Sequence, residues 1–163
     1  MSLPITVEIA DREEMNRRAC LRLLQAEEGI RVVGEARNGL EALTAAEKLK
    51  PDVLLLGINL LKGREISLLS TVRRKSPGTK VILLTRRAAE PRVLKALSYG
   101  ASGYIEEEAV STFLLKAVRL VDAGEAWVPR KILSRVIGRL ALLIAQQEPG
   151  MGPPRAKAPS FYD

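Results

Sequence analysis

Short runs of β-branched residues and leucine alternate along this chain with longer stretches whose apolar positions recur at helical spacing. Residues 5–10, 30–36, 52–56, 80–85 and 103–105 read as strands. Val53-Leu54-Leu55-Leu56 and Val81-Ile82-Leu83-Leu84 are apolar without alternation, as expected of central strands covered on both faces. Between the strands, residues 13–25, 39–49, 64–75, 91–98 and 110–123 read as helices. In the first of these, Met15, Ala19 and Leu23, with Cys20 and Leu24 beside them, follow the i, i+4, i+8 spacing predicted for a buried face. Asn38-Gly39, Ser76-Pro77-Gly78 and Gly100 supply turn chemistry at the breaks. Strands alternating with helices in this way predict a parallel sheet with right-handed crossovers, an α/β three-layer sandwich.

That domain is complete at residue 129. Residues 130–147 read as a further helix, with Leu133, Val136, Ile137, Leu140, Leu143 and Ile144 along one stripe. Such a stripe must be covered, either by the fifth helix or by a second copy, and pairing into a homodimer is the favoured reading. Residues 148–163, with Pro149, Gly150, Gly152, Pro153, Pro154 and Pro159, read as a flexible tail.

Composition narrows the chemistry. With 163 residues, 47% of them hydrophobic and 28% charged, the chain can bury the core of one domain. It has no histidine, which removes histidine-based triads, imidazole general bases and His-containing zinc motifs together. The lone Cys20 cannot close an intramolecular disulfide. No apolar run approaches membrane-spanning length and no signal-peptide pattern opens the chain, so a cytoplasmic protein without a membrane partner is expected. The 26 Lys and Arg outnumber the 19 Asp and Glu, for a net charge of +7. Residues 62–95 alone hold ten basic residues against Glu65 and Glu90, so the basic character is local. No aromatics are interleaved with it and no helix-turn-helix is visible, so a solvated face or a protein contact is favoured over direct contact with nucleic acid.

In an open parallel sheet, sites form at the carboxyl ends of the strands. Those ends carry Asp11 and Arg12, Gly57 and Asn59, Thr85, and Glu106 and Glu107. No dinucleotide or P-loop glycine motif occurs at these turns, and no cofactor is expected. The acidic run Glu106-Glu107-Glu108 is read as carboxylates favoured at the start of a helix rather than as a metal site.

Several stretches resemble a known family: Ile9-Ala10-Asp11, the run from Val32 to Leu43, the run from Lys50 to Leu56, Lys80 to Thr85, Ala96 to Tyr104, and Gly124-Glu125-Ala126-Trp127. In order and nearly without gaps over residues 5–130, they look like the receiver domain of two-component response regulators, of the NarL/LuxR-type subfamily. The resemblance implies the flavodoxin-like strand order 2-1-3-4-5. It also implies a site where an aspartate ending the third strand accepts a phosphoryl group from a histidine kinase. Paired acids after the first strand hold Mg²⁺ in that family, a Thr or Ser and a Lys contact the phosphoryl oxygens, and an aromatic on the fifth strand reports the change.

Asp11, the switch threonine Thr85 and the switch aromatic Tyr104 keep the family's residue types, whereas its acceptor aspartate falls on Gly57, its second acid on Arg12 and its lysine on Glu107. The expectation is a degenerate receiver that cannot be phosphorylated by the family's route. It is not an enzyme but a module that docks a protein partner or dimerises. The Arg12 guanidinium bridges Asp11 and Glu107 in one reading and points to solvent in the other. Thr85 and Tyr104 are read as a strand-end hydroxyl and a half-buried ring, the alternative being a hydroxyl and aromatic switch that moves with a partner rather than with phosphate. Where the subfamily continues into a helix-turn-helix that binds DNA, this sequence has its tail, so that output domain is expected to be absent. The alternatives are the receiver part of a transcription regulator, a small-ligand sensor using space vacated at Gly57, and phosphate acceptance at Asp11 or Asp52.

Overall fold

The computed structural model describes residues 2–86, 90–147 and 161–162. Strands β1 (Ile5–Ala10), β2 (Ile30–Ala36), β3 (Val53–Gly57), β4 (Lys80–Thr85) and β5 (Gly103–Glu106) form one parallel sheet in the order β2-β1-β3-β4-β5. Helices α1 (Glu14–Gln25), α2 (Gly39–Leu49), α3 (Glu65–Lys75) and α4 (Glu90–Ser98) connect them, and α5 (Val110–Asp122) follows β5. The expected order and element types are therefore present, with boundaries within a residue or two.

The unbroken apolar runs of β3 and β4 feed two cores at once, because successive side chains leave a strand on opposite faces. Leu54, Leu56, Val81 and Leu83 pack with residues of α2, α3 and α4, while Val53, Leu55, Ile82 and Leu84 pack with residues of α1 and α5. In α1 the buried face is Cys20 and Leu24; Met15 is 82% exposed and Ala19 is also exposed, which corrects the expected face. Asn16 and Arg17 take part of that turn toward the sheet end, and their polar heads have partners there.

The amino edge of the sheet is held by Asp52. Its Oδ2 accepts bonds from the Thr6 amide at 2.9 Å and the Thr6 hydroxyl at 3.1 Å. At the far side, residues 126–128 run beside β5. The Trp127 carbonyl accepts from the Tyr104 amide at 2.9 Å, and a β-carbon on Gly103 would stand 2.7 Å from that carbonyl oxygen. Glycine there lets the two backbones approach.

The chain continues through β6 (Val128–Pro129) into α6 (Arg130–Gln147), and β6 pairs with β7 (Phe161–Tyr162). Helix α6 packs mainly on α4, β6 and β7, rather than on the fifth helix that was one of its two expected covers. Its anchor is Ile132, fully buried in the core shared with Tyr104 and Val93, with Leu133 and Val136 partly buried beside it. Ile137, Leu140, Leu142 and Leu143 are exposed. Apart from β7, the expected tail over residues 148–163 lies outside the described residues.

Candidate functional site

The carboxyl ends of β1, β3, β4 and β5 meet around Asp11, whose side chain is buried. Asp11 Oδ1 accepts from the Glu13 amide at 2.8 Å and from Asn59 Nδ2 at 3.2 Å, and Oδ2 accepts from Asn16 Nδ2 at 3.3 Å. Three donors thus hold the carboxylate in one orientation, which is how a buried charge is tolerated.

The same Asn16 Nδ2 donates to Glu107 Oε1 at 2.7 Å, so one amide group ties the loop after β1 to the turn after β5. Arg86, after β4, closes the rim: its NH2 lies 2.8 Å from Glu13 Oε2 and its Nε 3.4 Å from Glu107 Oε2. Arg17 donates to the Asp11 carbonyl at 2.9 Å. Of the two readings of Arg12, the bridge is absent and the solvent-facing one is found: Asn16 occupies the bridging role, while Arg12 is exposed, has no ion-pair partner among the described residues, and lines a cleft beside α2 and α3. Residue 12 follows the buried Asp11 on the outward side of the loop, so its long side chain leaves the site. Asn16, Arg17 and Arg86 were not singled out from sequence. The signal that could have found the first two is their position on the α1 turn facing Asp11.

Gly57 ends β3 directly beside Asp11. A β-carbon there would stand 2.5 Å from Asp11 Oδ2 and 3.0 Å from Asn59 Oδ1. The space expected to be vacated at Gly57 is thus filled by the Asp11 carboxylate. Asn59 Oδ1 is buried with no hydrogen-bond partner among the described residues.

Thr85 is buried at the end of β4, opposite Glu106 of β5. The Tyr104 ring is fully buried rather than half-buried, and its hydroxyl donates to Glu106 Oε1 at 2.8 Å. The negative character of the centre shows in a neighbour. Burial, and then the Asp11 and Glu107 charges, push the Cys20 thiol up to about 12.

A hard divalent cation needs several oxygen donors free to converge on it. Here both Asp11 oxygens already accept hydrogen bonds, Gly57 offers no side-chain donor, and Arg12 stands where the family has its second acid. Among the described residues, no three His, Cys, Asp or Glu side chains are grouped to hold a metal ion. The residues present do not fit a Mg²⁺ ion.

Among the described residues, no helix is long and apolar enough to cross a membrane. Residues 7–119 match the family model described as response regulator receiver domain. The chain is 30% identical over 144 residues to the transcriptional regulatory protein DegU of Brevibacillus brevis, across 88% of this chain and 61% of that protein. It is 34% identical over 122 residues to the nitrate/nitrite response regulator protein NarL of Escherichia coli strain K12, across 75% of this chain and 56% of that protein. It thus spans less than two thirds of the length of either relative. Among solved structures, the isolated REC domain of RcsB from Salmonella enterica serovar Typhimurium in the apo form superposes with a TM-score of 0.71 at 26% identity, over 82% of this chain and 98% of that one. The response regulator domain of Thermotoga maritima CheB gives a TM-score of 0.66 at 27% identity, over 74% of this chain and 97% of that one. With the family match reaching all five strands of its parallel sheet, short only of Ile5 and Thr6, this chain belongs to the response regulator receiver domains, the signalling modules of two-component systems.

Proposed function

We propose that this receiver works without aspartyl phosphorylation, as a cytoplasmic protein-interaction module that docks a signalling partner or pairs with a second copy through α6. Phosphoryl transfer to a carboxylate needs a nucleophilic oxygen, a divalent ion to neutralise the phosphate oxygens and a cation at the developing charge. Gly57 supplies no oxygen, the donors around Asp11 do not suit a metal, and Glu107 puts a negative charge where the family places a lysine. The observation that carries the reading is the engaged state of Asp11, held by Glu13, Asn59 and Asn16 in the space beside Gly57. Asp52 is at the opposite end of the strands, their amino end, and is committed to Thr6. On this reading Gly57, Asp11, Arg12 and Glu107 form a degenerate phosphorylation site, with Thr85 and Tyr104 as its former switch pair.

Incubation with acetyl phosphate and Mg²⁺, followed by intact-mass measurement, tests this. No phosphoryl adduct is expected, and an acid-stable, base-labile adduct on Asp11 or Asp52 overturns the reading. A second reading, that the chain is the receiver part of a transcription regulator, is favoured by its coverage of 61% of DegU and 56% of NarL. The length of the full gene decides it.

A further inference from the structure

Beside the site, the loop after β1, the start of α2 and the β3–α3 connection enclose a cleft of about 630 Å³. That volume falls within the range of small-ligand pockets, about 300–1,000 Å³. Its rim carries Arg12, Arg37, Lys62 and Arg64, and none of its described lining residues is acidic. Arg37 pairs with Glu41 at 3.4 Å, whereas Arg12, Lys62 and Arg64 have no carboxylate partner among the described residues.

Elsewhere in the basic stretch four cations have partners, while Arg73, Arg74 and Lys95 are exposed outside the cleft. Lys75 pairs with Glu47, Lys80 donates to the Asp122 carbonyl, Arg86 holds Glu13 and Glu107, and Arg92 donates to the Ile58 carbonyl. Lys62 and Arg64 are left facing the cleft with two arginines that come from other parts of the chain.

The floor is apolar. Leu40, Leu43, Leu60 and Leu68 line it, and Leu40, although 78% exposed, lies on the cleft wall. Arg12, Lys62 and Arg64, grouped over leucines with no carboxylate partner among the described residues, repel one another and leave apolar surface such as Leu40 wet. An occupant with an anionic head and an apolar body relieves both.

We infer that this cleft binds a small amphiphilic oxyanion, its phosphate or carboxylate head against Arg12, Lys62 and Arg64 and its apolar body over the leucines. Guanidinium groups suit both heads, because their paired N–H donors match two oxygens. The site is distinct from the Asp11 centre and does not depend on the phosphorylation-independent reading. It does touch that centre's loops, since Arg12 follows Asp11 and Leu60 follows Asn59.

Titration calorimetry of the whole chain at low salt tests the inference with octyl phosphate, octanoate, octyl glucoside and inorganic phosphate. Saturable one-site binding of octyl phosphate or octanoate is expected, and the one that binds identifies the head. It should exceed the affinity for octyl glucoside and for inorganic phosphate by about tenfold or more, since each half alone forgoes the other's contacts. Lys62→Glu with Arg64→Glu should weaken it by about tenfold, while Lys95→Glu, an exposed base on α4 outside the cleft, leaves it unchanged. Should the double variant fail to fold, Leu40→Ser, at an exposed position, must weaken binding several-fold. Absence of saturable binding by either amphiphile, equal binding of octyl glucoside, or an equal loss in Lys95→Glu overturns the inference.

Discussion

The Asp11 carboxylate and Gly57 exclude any side chain between them: a β-carbon on Gly57 would come within 2.5 Å of Asp11 Oδ2. Real β-carbons do not approach oxygen so closely, so Gly57→Ala must push Asp11 off its three donors or strain β3. A cost of about 1–3 kcal/mol is expected from urea denaturation. The same substitution made with Asp11→Ala should cost at least about 1 kcal/mol less, because the colliding group is gone. Equal costs in the two backgrounds would show that the contact is not what excludes a side chain.

Asn16 is the shared donor between two carboxylates, Asp11 at 3.3 Å and Glu107 at 2.7 Å. Replacing it by aspartate removes that donor and adds a third negative charge. Asn16→Asp should lose about 1–3 kcal/mol of stability at pH 7. Repulsion raises the folded-state pKa of the new carboxyl, so the unfolded chain releases its proton first as pH rises. The deficit therefore grows from pH 4 to pH 7, and a pH-independent deficit in thermal melts would count against the charge argument.

How much of this was visible beforehand depends on range. The sheet and its helices follow from local apolar runs and turn residues, and the order β2-β1-β3-β4-β5 follows once the resemblance is recognised. Gly57, Arg12 and Glu107 were visible as substitutions of type, but not their consequences. Whether Arg12 or Asn16 spans Asp11 and Glu107 depends on which way α1 rotates, and the i, i+4 pattern left that ambiguous by one position: Met15 and Ala19 fit the spacing as well as Cys20 and Leu24. Ile132 escaped notice in a helix read as one stripe, because which half of α6 meets the core depends on α4 and β6, far away in sequence. Glu8 escaped for a related reason. The alternation Thr6, Glu8 against Val7, Ile9 suits a strand with one wet face, yet both faces of β1 are covered.

Glu8 is completely buried opposite Gly34 and Leu54, and both its oxygens are without a hydrogen-bond partner among the described residues. Burial pushes its carboxyl up from 4.5 to about 8. Between those values the folded protein retains a proton that the unfolded chain has released, so stability falls as pH rises through the window. Glu8→Gln removes that dependence. The variant should match the parent to within about 1 kcal/mol at pH 4.5 and exceed it by about 4 kcal/mol at pH 8, at about 1.4 kcal/mol per pH unit across the window, as measured by denaturant titration. A gain that does not grow with pH would show that Glu8 is not the titrating group.

Helix α6 divides into a docked half and an exposed half, and substitutions separate their roles. Ile132 is fully buried, while Leu140 is 52% exposed and Leu143 48% exposed. Ile132→Ala should cost about 2–5 kcal/mol, the usual range for truncating a buried isoleucine, and should loosen α6 from α4. At concentrations where the chain is monomeric, Leu140→Glu should leave the melting temperature within about 2 °C, since exposed substitutions rarely exceed about 0.5 kcal/mol. If the exposed half pairs with a second copy, light scattering at micromolar concentration gives a dimer for the parent chain and a monomer for Leu140→Glu, because a carboxylate in an apolar interface is left unpaired. A parent that is already monomeric, or a dimer that survives Leu140→Glu and Leu143→Glu together, removes α6 as the pairing surface.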